Sequence, residues 1–321
     1  MIVVEPYCRP PGHAGPMLLV HGGAWNIPDV ECDAHLAGLQ IAVETGKNAL
    51  QAGNSALQVV AEVVAHMEGD GAFDAGCGAV LTRSGKVELD AGIMDGTARH
   101  FGSVAGIQHF RHPIKIALSV LENGGRTFCF LSGAGAEKFA DASGFSRVKN
   151  ENLVCLREQQ RYDSLAAQAA YHTSHPFLAD EDVPRGTVGC VAIDQHGKLA
   201  AATSTGGTPF RPDGRVGDSP MPGAGFYASP DGAASATGWG EAIASVSMCF
   251  AAVQQLSSCS AEDAAEAAIR TLGLQIKNED GQGATGGIIL LSATGEGGFA
   301  FSTPRMARGG WYAGGDPWVR I

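Results

Sequence analysis

Concentrated positive charge is missing from this chain. Its 22 Lys and Arg are scattered against 33 Asp and Glu, the net charge is −11, and no basic cluster offers a face to a phosphate backbone. Nucleic acid is therefore not an expected partner. Long apolar runs are missing too: no window approaches the ~18 residues that a membrane span needs, so no membrane partner is expected. Residues 1–16 have no basic start followed by an apolar stretch, which argues against a secretory leader. The eight cysteines contain no C-x-x-C pair, and several sit inside apolar stretches such as "TFCFL" and "VGCVAI". Reduced thiols acting as small buried hydrophobes are expected, with a cytoplasmic setting as the default.

Glycine, by contrast, is abundant. The 45 glycines among 321 residues are about twice the usual ~7%, and they pair up between short strands in "HGGAW", "STGGT", "ATGGI" and "RGGWYAGG". Such pairs suit tight turns and close approach of backbone to a ligand. A hydrophobic content of 45% with 17% charged residues indicates a folded chain.

Strands are expected at 17–23, 77–82, 87–94 and 127–133. A helix is expected from Asn54 or Ser55 as cap through "ALQVVAEVVAHME", burying Leu57, Val60, Val63 or Val64, and Met67 at helical spacing. Residues 157–186 lose strand character. Their first half reads as a weak helix, and their tail, with two prolines, as an exposed connector. Beyond it, "TVGCVAID" and "KLAAATS" read as a hairpin, as does "GGIILLSATGEGGFAFS". Helices are expected at 240–256 and at 261–272, the latter capped by Ser260. Strands and helices come in blocks in both halves, which suggests sheets covered by helices in one interleaved domain.

The chemistry gathers around Thr187. It follows Gly186 directly, at the junction of the polar connector and an apolar strand. A threonine hydroxyl is a poor nucleophile without a base, and an α-amino group, with a pKa of about 8, suits that role. Cleavage of the Gly186–Thr187 bond would give Thr187 both. Downstream stand Thr203, Ser204 and Thr205 at a strand end, Arg215 and Asp218 in "GRVGDSP", and Thr237, Gly238 and Gly240 in "TGWGE". A guanidinium fork fits a carboxylate and an aspartate fits an ammonium. A hydroxyl with a glycine N–H can hold an oxyanion. These groups describe an amidohydrolase for a small zwitterion. The plainer alternatives are a turn salt bridge between Arg215 and Asp218, ordinary strand residues at 203–205, and a helix entry at Thr237. The pairs His109/His112 and His172/His175 have spacings a metal can use, but no third ligand stands near either, so no metal set is expected. His21 in "LVHGG" reads as a hydrogen-bonded core histidine. "SGAGAEKF" does not complete a nucleotide-binding glycine pattern.

Taken in order, "HGGAW", "FDAGCGAVLT", "VELDAGIMDG", "VAGIQHFRHPI", "GAEKFA", "GTVGCVAID", "GKLAAATSTGG", "GRVGDSP", "GAGFYA", "TGWGE" and "TPRMARGG" run nearly the whole length. In this set and order the chain resembles the plant-type asparaginase/isoaspartyl peptidase family of N-terminal-nucleophile hydrolases. The resemblance implies an α+β fold, a four-layer αββα sandwich. It implies a single domain, 1–321, made as a precursor and cut into an α subunit, 1–186, and a β subunit, 187–321, with 157–186 as linker. Two such heterodimers would pair. Thr187 would be nucleophile and base, Thr205 would tune it, and Thr237 and Gly238 would hold the oxyanion. Arg215, Asp218 and Gly240 would grip the α-carboxylate and α-ammonium of L-asparagine or a β-aspartyl dipeptide. No cofactor is required, although the resemblance implies a structural alkali cation, Na or K, in the loop near residues 67–76. Three departures stand out: Asp74 where the family usually has Asn, Trp239 where a smaller residue is usual, and Ala134 where an acid is common. They leave room for an altered substrate of glycosylasparaginase type, or for a weakly cleaving amino-acid-binding protein.

Overall fold

A computed structural model describes residues 1–8, 15–167 and 186–321. Its strands are β1 (Val3–Cys8), β2 (Met17–Trp25), β3 (Leu89–Asp95), β4 (His100–Ile107), β5 (Phe130–Ser132), β6 (Val188–Ile193), β7 (Leu199–Thr205), β8 (Phe226–Ala228), β9 (Gly232–Gly238), β10 (Gly286–Ser292), β11 (Glu296–Phe301), β12 (Arg305–Tyr312) and β13 (Trp318–Arg320). Its α-helices are α1 (Asp29–Gln51), α2 (Ala56–Asp70), α3 (Pro113–Gly124), α4 (Gly133–Ala142), α5 (Leu156–Ala166), α6 (Gly240–Ser245), α7 (Met248–Gln255) and α8 (Ala261–Gln275).

The strands form two sheets, one ordered β13-β12-β2-β6-β7-β3-β4-β5 and the other β1-β11-β10-β9-β8. Successive strand residues point to opposite faces, and here both faces are covered. On β6 and β7, Val188, Cys190, Ala192, Ala200 and Ala202 pack toward α2 and α3. Their neighbours Val191, Ile193, Leu199 and Ala201 face the second sheet, meeting Ala233, Ile289 and Phe299. That sheet's outer face, with Ala234, Ala236, Ile288 and Leu290, is covered by α7 and α8. The result is the expected α+β sandwich, αββα. Among the described residues no helix is long and apolar enough to cross a membrane.

The anticipated hairpins are β6–β7 and β10–β11. The turn of the first is fastened by the buried Asp194: Oδ1 accepts the N–H groups of His196 and Lys198, and Oδ2 accepts the first N–H of α2, at Ala56. Ser55 caps α2 through a capping box with Gln58. The buried stripe of α2 runs through Ala56, Val59, Val60, Val63, Val64 and Met67, and Leu57 is only half-buried.

Several expectations fail for identifiable reasons. Residues 77–82 are buried but form no strand. Gly76 and Gly78 adopt left-handed backbone (φ 55° and 115°), and the N–H groups of Cys77, Gly78 and Val80 go to Glu68 O, Leu153 O and the Asp74 carboxylate. Of 127–133 only Phe130–Ser132 is a strand. The helix expected at 240–256 breaks at Ser247 (φ 48°), because the next N–H groups, of Cys249 and Phe250, are taken by the carbonyls of Ala224 and Gly223. The helix expected within 157–186 is α5, and the rest of the connector to residue 185 lies outside the described residues. Cys32, Cys77, Cys129, Cys155, Cys190, Cys249 and Cys259 are unbridged, but only Cys190 and Cys249 are fully buried.

Packing between the sheets is close enough to test at one position. A Cβ on Gly92 of β3 would fall 2.0 Å from the Phe226 ring. Gly92→Ala is expected to cost about 1–3 kcal/mol by overpacking. Phe226→Leu in the same chain should recover part of it, giving a non-additive double-mutant cycle in denaturant melts. Additive losses would mean that these side chains are not in contact.

Candidate active site

The alternation that builds the core also builds the site. Thr187, directly before β6, shares the inward face of Gly189, Val191 and Ile193, and Thr203 and Thr205 share that of Leu199 and Ala201. Val188 pairs with Ser204, so Thr187 stands opposite Thr205. The Thr187 hydroxyl donates to Thr205 Oγ1 at 2.9 Å, and that oxygen also accepts the Gly207 N–H at 2.9 Å. Thr187 is only 8% exposed.

From the facing sheet, Ser235 on β9 reaches across. Its Oγ lies 2.6 Å from Thr203 Oγ1 and 2.8 Å from His21 Nε2, while His21 Nδ1 lies 3.1 Å from the Thr187 carbonyl oxygen. Burial pushes the imidazole down to about 3, against the raising effect of its bond to that carbonyl, so His21 is neutral. Nδ1–H then donates to Thr187 O and Nε2 accepts from Ser235. The bond crosses β6 where Gly189 stands; a Cβ there would lie 2.0 Å from Ser235 Oγ.

Thr237 is two residues beyond Ser235, on the same face, and is fully buried. Gly238, which ends β9, has φ 139°, and a Cβ would meet Gly286 Cα at 2.5 Å. Only glycine suits that position. By strand alternation the Thr237 side chain shares the inward face of Ser235 and Ala233, so its hydroxyl enters the intersheet space from the second sheet.

Arg215 and Asp218 come from the loop between β7 and β8. A Cβ on Gly240 would be 2.8 Å from Asp218 Oδ1 and 2.9 Å from Arg215 Nη2, so the three converge. Arg215 is not paired with Asp218. Its Nε and Nη2 hold both oxygens of Glu241, at 2.8 and 2.7 Å. Asp218 is buried, its Oδ2 has no hydrogen-bond partner among the described residues, and burial pushes its carboxyl up to about 7 against the pull of Arg215. The loop is tied to β3 by the fully buried Arg211, which donates to Asp90 Oδ2 (3.1 Å), to the Glu88 carbonyl (2.7 Å) and to the Arg215 carbonyl.

The three departures lie in different places. Trp239 packs against the cluster beneath α7 and α8, and its side chain hydrogen-bonds Glu241. Ala134 lines a surface cavity of about 490 Å³ with Glu88, His109 and Glu137. Asp74 lies against the residue before Thr187: a Cβ on Gly186 would be 2.6 Å from Asp74 N and 3.0 Å from its Cβ. Its main-chain oxygen accepts the Gly206 N–H and its Oδ1 the Val80 N–H, but its buried Oδ2 has no hydrogen-bond partner among the described residues. Burial pushes this carboxyl up to about 7.

His109 bonds Glu137 and His112 faces Glu68, so they do not converge on one ion. His172 and His175 lie outside the described residues. No group of three or more His, Cys, Asp or Glu suited to a metal occurs among the described residues. Sequence reasoning missed Ser235 and Glu241. The alternation leading to Thr237 marks Ser235 as inward-facing, but the Arg215–Glu241 pairing spans 26 residues and has no local signal.

A sequence model of the family described as asparaginase matches residues 14–321. The isoaspartyl peptidase of Salmonella typhimurium is 38% identical over 95% of this chain and 98% of its own, and that of Escherichia coli 38% over 95% of each. The human isoaspartyl peptidase/L-asparaginase is 37% identical over 88% of each chain.

Asp74 and Asp218 set a pH dependence of stability. Both are raised from 3.8 to about 7, so the folded chain holds protons that the unfolded chain releases. Their favourable contribution is complete below about pH 4 and is lost as pH rises toward 7. D74N/D218N is expected to be more stable than the parent at pH 7.5, by roughly a few kcal/mol, with the gap closing near pH 4 in thermal melts. A gap independent of pH would show that neither acid titrates as described.

Proposed function

The chain belongs to the asparaginase family, and from that membership we propose that it is a self-cleaving threonine amidohydrolase acting on L-asparagine and β-aspartyl dipeptides. One observation carries the reading: the Thr187 hydroxyl, directly after Gly186, is held by Thr205 Oγ1 at 2.9 Å in a buried intersheet site.

Cleavage before Thr187 yields an α subunit, 1–186, and a β subunit, 187–321. The new α-amine takes the Oγ proton as Oγ attacks the side-chain carbonyl of the substrate. Thr205 orients that oxygen, and the Thr237 hydroxyl with the Gly238 N–H receives the developing oxyanion. The C–N bond breaks, ammonia or an amino acid leaves, and water hydrolyses the aspartyl-Thr187 ester. Asp218, with its free buried oxygen, takes the substrate ammonium beside Gly240. Arg215 takes the α-carboxylate with donors that Glu241 leaves over, since a guanidinium has five.

The processed unit is an αβ heterodimer, two of which pair; the unbridged thiols favour a cytoplasmic setting. A structural Na or K ion is assigned to the loop near residues 67–76, whose backbone carbonyls would hold it. Hard neutral oxygens of this kind suit an alkali ion, and it takes no part in the chemistry.

Purified protein followed by intact mass should split into fragments of which one begins at Thr187, with hydrolysis rising in step. Thr187→Ala should stay whole and inactive. A parent chain that stays whole while hydrolysing asparagine at full rate would sink the proposal. Asp218→Asn should still cleave itself but raise KM by at least about tenfold, since an unpaired buried charge costs ~2–5 kcal/mol. An unchanged KM would remove Asp218 from the substrate grip.

A further inference from the structure

A grip for a small zwitterion needs a cation and an anion close together, and two such charges attract each other when nothing else engages them. Arg215 and Asp218 face this problem. The position a Cβ would take on Gly240 is 2.8 Å from Asp218 Oδ1 and 2.9 Å from Arg215 Nη2, so the two groups approach one point from different sides. They nevertheless form no ion pair. Arg215 gives Nε and Nη2 to Glu241, and Asp218 Oδ2 is buried with no hydrogen-bond partner among the described residues.

Glu241 is the second residue of α6, directly after Gly240, so the backbone that borders the site also carries the acid that holds Arg215. The contact is two-pronged, Nε on Oε1 at 2.8 Å and Nη2 on Oε2 at 2.7 Å, which fixes the plane of the guanidinium as well as its place. Gly217 borders the remaining nitrogen: a Cβ there would be 2.7 Å from Nη1. Arg215 is largely covered and Glu241 half-exposed, so the acid is the partner with room to swing away. The Trp239 indole restrains it, donating its N–H to the Glu241 carboxylate from the other side of Gly240. An exposed ion pair is worth little because it must hold two long, mobile side chains in one geometry. Here one partner is covered and the other is tied twice.

Resting on the amino-acid grip described above, we propose that Glu241, braced by Trp239, is a positioning residue that holds the Arg215 guanidinium off Asp218. With one edge taken up, Arg215 keeps Nη1 and the remaining N–H of Nη2 for an α-carboxylate, and Asp218 keeps a free oxygen for an ammonium. The grip stays open while empty. Without Glu241 the guanidinium turns to Asp218, each charge satisfies the other, and an incoming amino acid must break that pair before it binds. The loss falls on binding, because neither Glu241 nor Trp239 takes part in the chemistry at Thr187.

The test is steady-state hydrolysis of L-asparagine by the self-cleaved protein, for the parent, Glu241→Gln, Trp239→Phe, Asp218→Asn and their pairwise double variants. Glu241→Gln keeps one acceptor but loses the charge, and should raise KM about tenfold with kcat held, the mark of lost uniform binding. Trp239→Phe keeps an aromatic ring and removes the N–H. Its KM should rise about threefold, and by nothing further once Glu241 is replaced. In the Asp218→Asn chain, where Arg215 has no carboxylate to fall on, Glu241→Gln should leave KM where Asp218→Asn put it. A Glu241→Gln KM equal to the parent's, a loss in kcat instead, or an effect that multiplies with that of Asp218→Asn would overturn the proposal and leave the grip standing. An Asp218→Asn KM equal to the parent's would overturn the grip itself. Should Glu241→Gln fail to give a cooperative thermal melt, Trp239→Phe alone and in the Asp218→Asn chain decides by the same readouts.

Discussion

The hydrogen bond between the hydroxyls of Thr187 and Thr205 is what the rest of the site depends on, and it is a matter of strand register. Val188 opposite Ser204 puts the two threonines opposite each other on the inward face. A slip by one residue would turn one of them toward the helices. The register is held from several directions. Asp194 locks the hairpin turn to α2, both faces of β6 and β7 are apolar, and β3 pairs Asp90 with Thr205 on the far side. The same face that packs the intersheet core with Val191, Ile193 and Ala201 therefore delivers hydroxyls at its end.

A site assembled this way carries a cost in stability. Asp74 and Asp218 are buried carboxyl groups, each with one oxygen that no donor among the described residues satisfies, a condition that native structures keep rare. Burying a charge without full pairing opposes folding, so extensive apolar burial on both sides of the sheets must offset it. In the proposed function Asp218 takes the substrate's ammonium, and Asp74 lies against Gly186 beside the bond to be cut. Arg211, equally buried, acts as a fastening: its Nη1 and Nη2 donate to Asp90 and to two backbone carbonyls, although its Nε too finds no acceptor among the described residues.

Legibility in the sequence followed the range of the interactions. The hairpins, the Ser55 and Ser260 caps, the layered architecture and the cluster of Thr187, Thr205, Arg215, Asp218 and Gly240 all had local signatures. Residues 77–82 read as a strand because their composition is apolar, but two left-handed glycines and a side-chain acceptor took over their backbone N–H groups. The 23-residue α1 escaped notice because Pro28 supplies no side-chain cap and its apolar stripe is dilute. Ser235 and Glu241 were missed for another reason. Each earns its role through a partner far along the chain, His21 in one case and Arg215 in the other, and no spacing rule reaches that far.

Interleaving explains how a chain can be cut at the edge of its own core and remain folded. The larger sheet takes β2, β3, β4 and β5 from before Thr187 and β6, β7, β12 and β13 from after it, with β2 between β12 and β6. In the smaller sheet β1, from before, pairs with β11, from after. Neither fragment can close a sheet alone, so cleavage breaks one covalent bond and no strand pairing. It does change the local chemistry: in the proposed scheme an amine appears at Thr187 where the amide was, inside a core whose strand pairings hold it beside Thr205, and that amine is the base a terminal threonine needs.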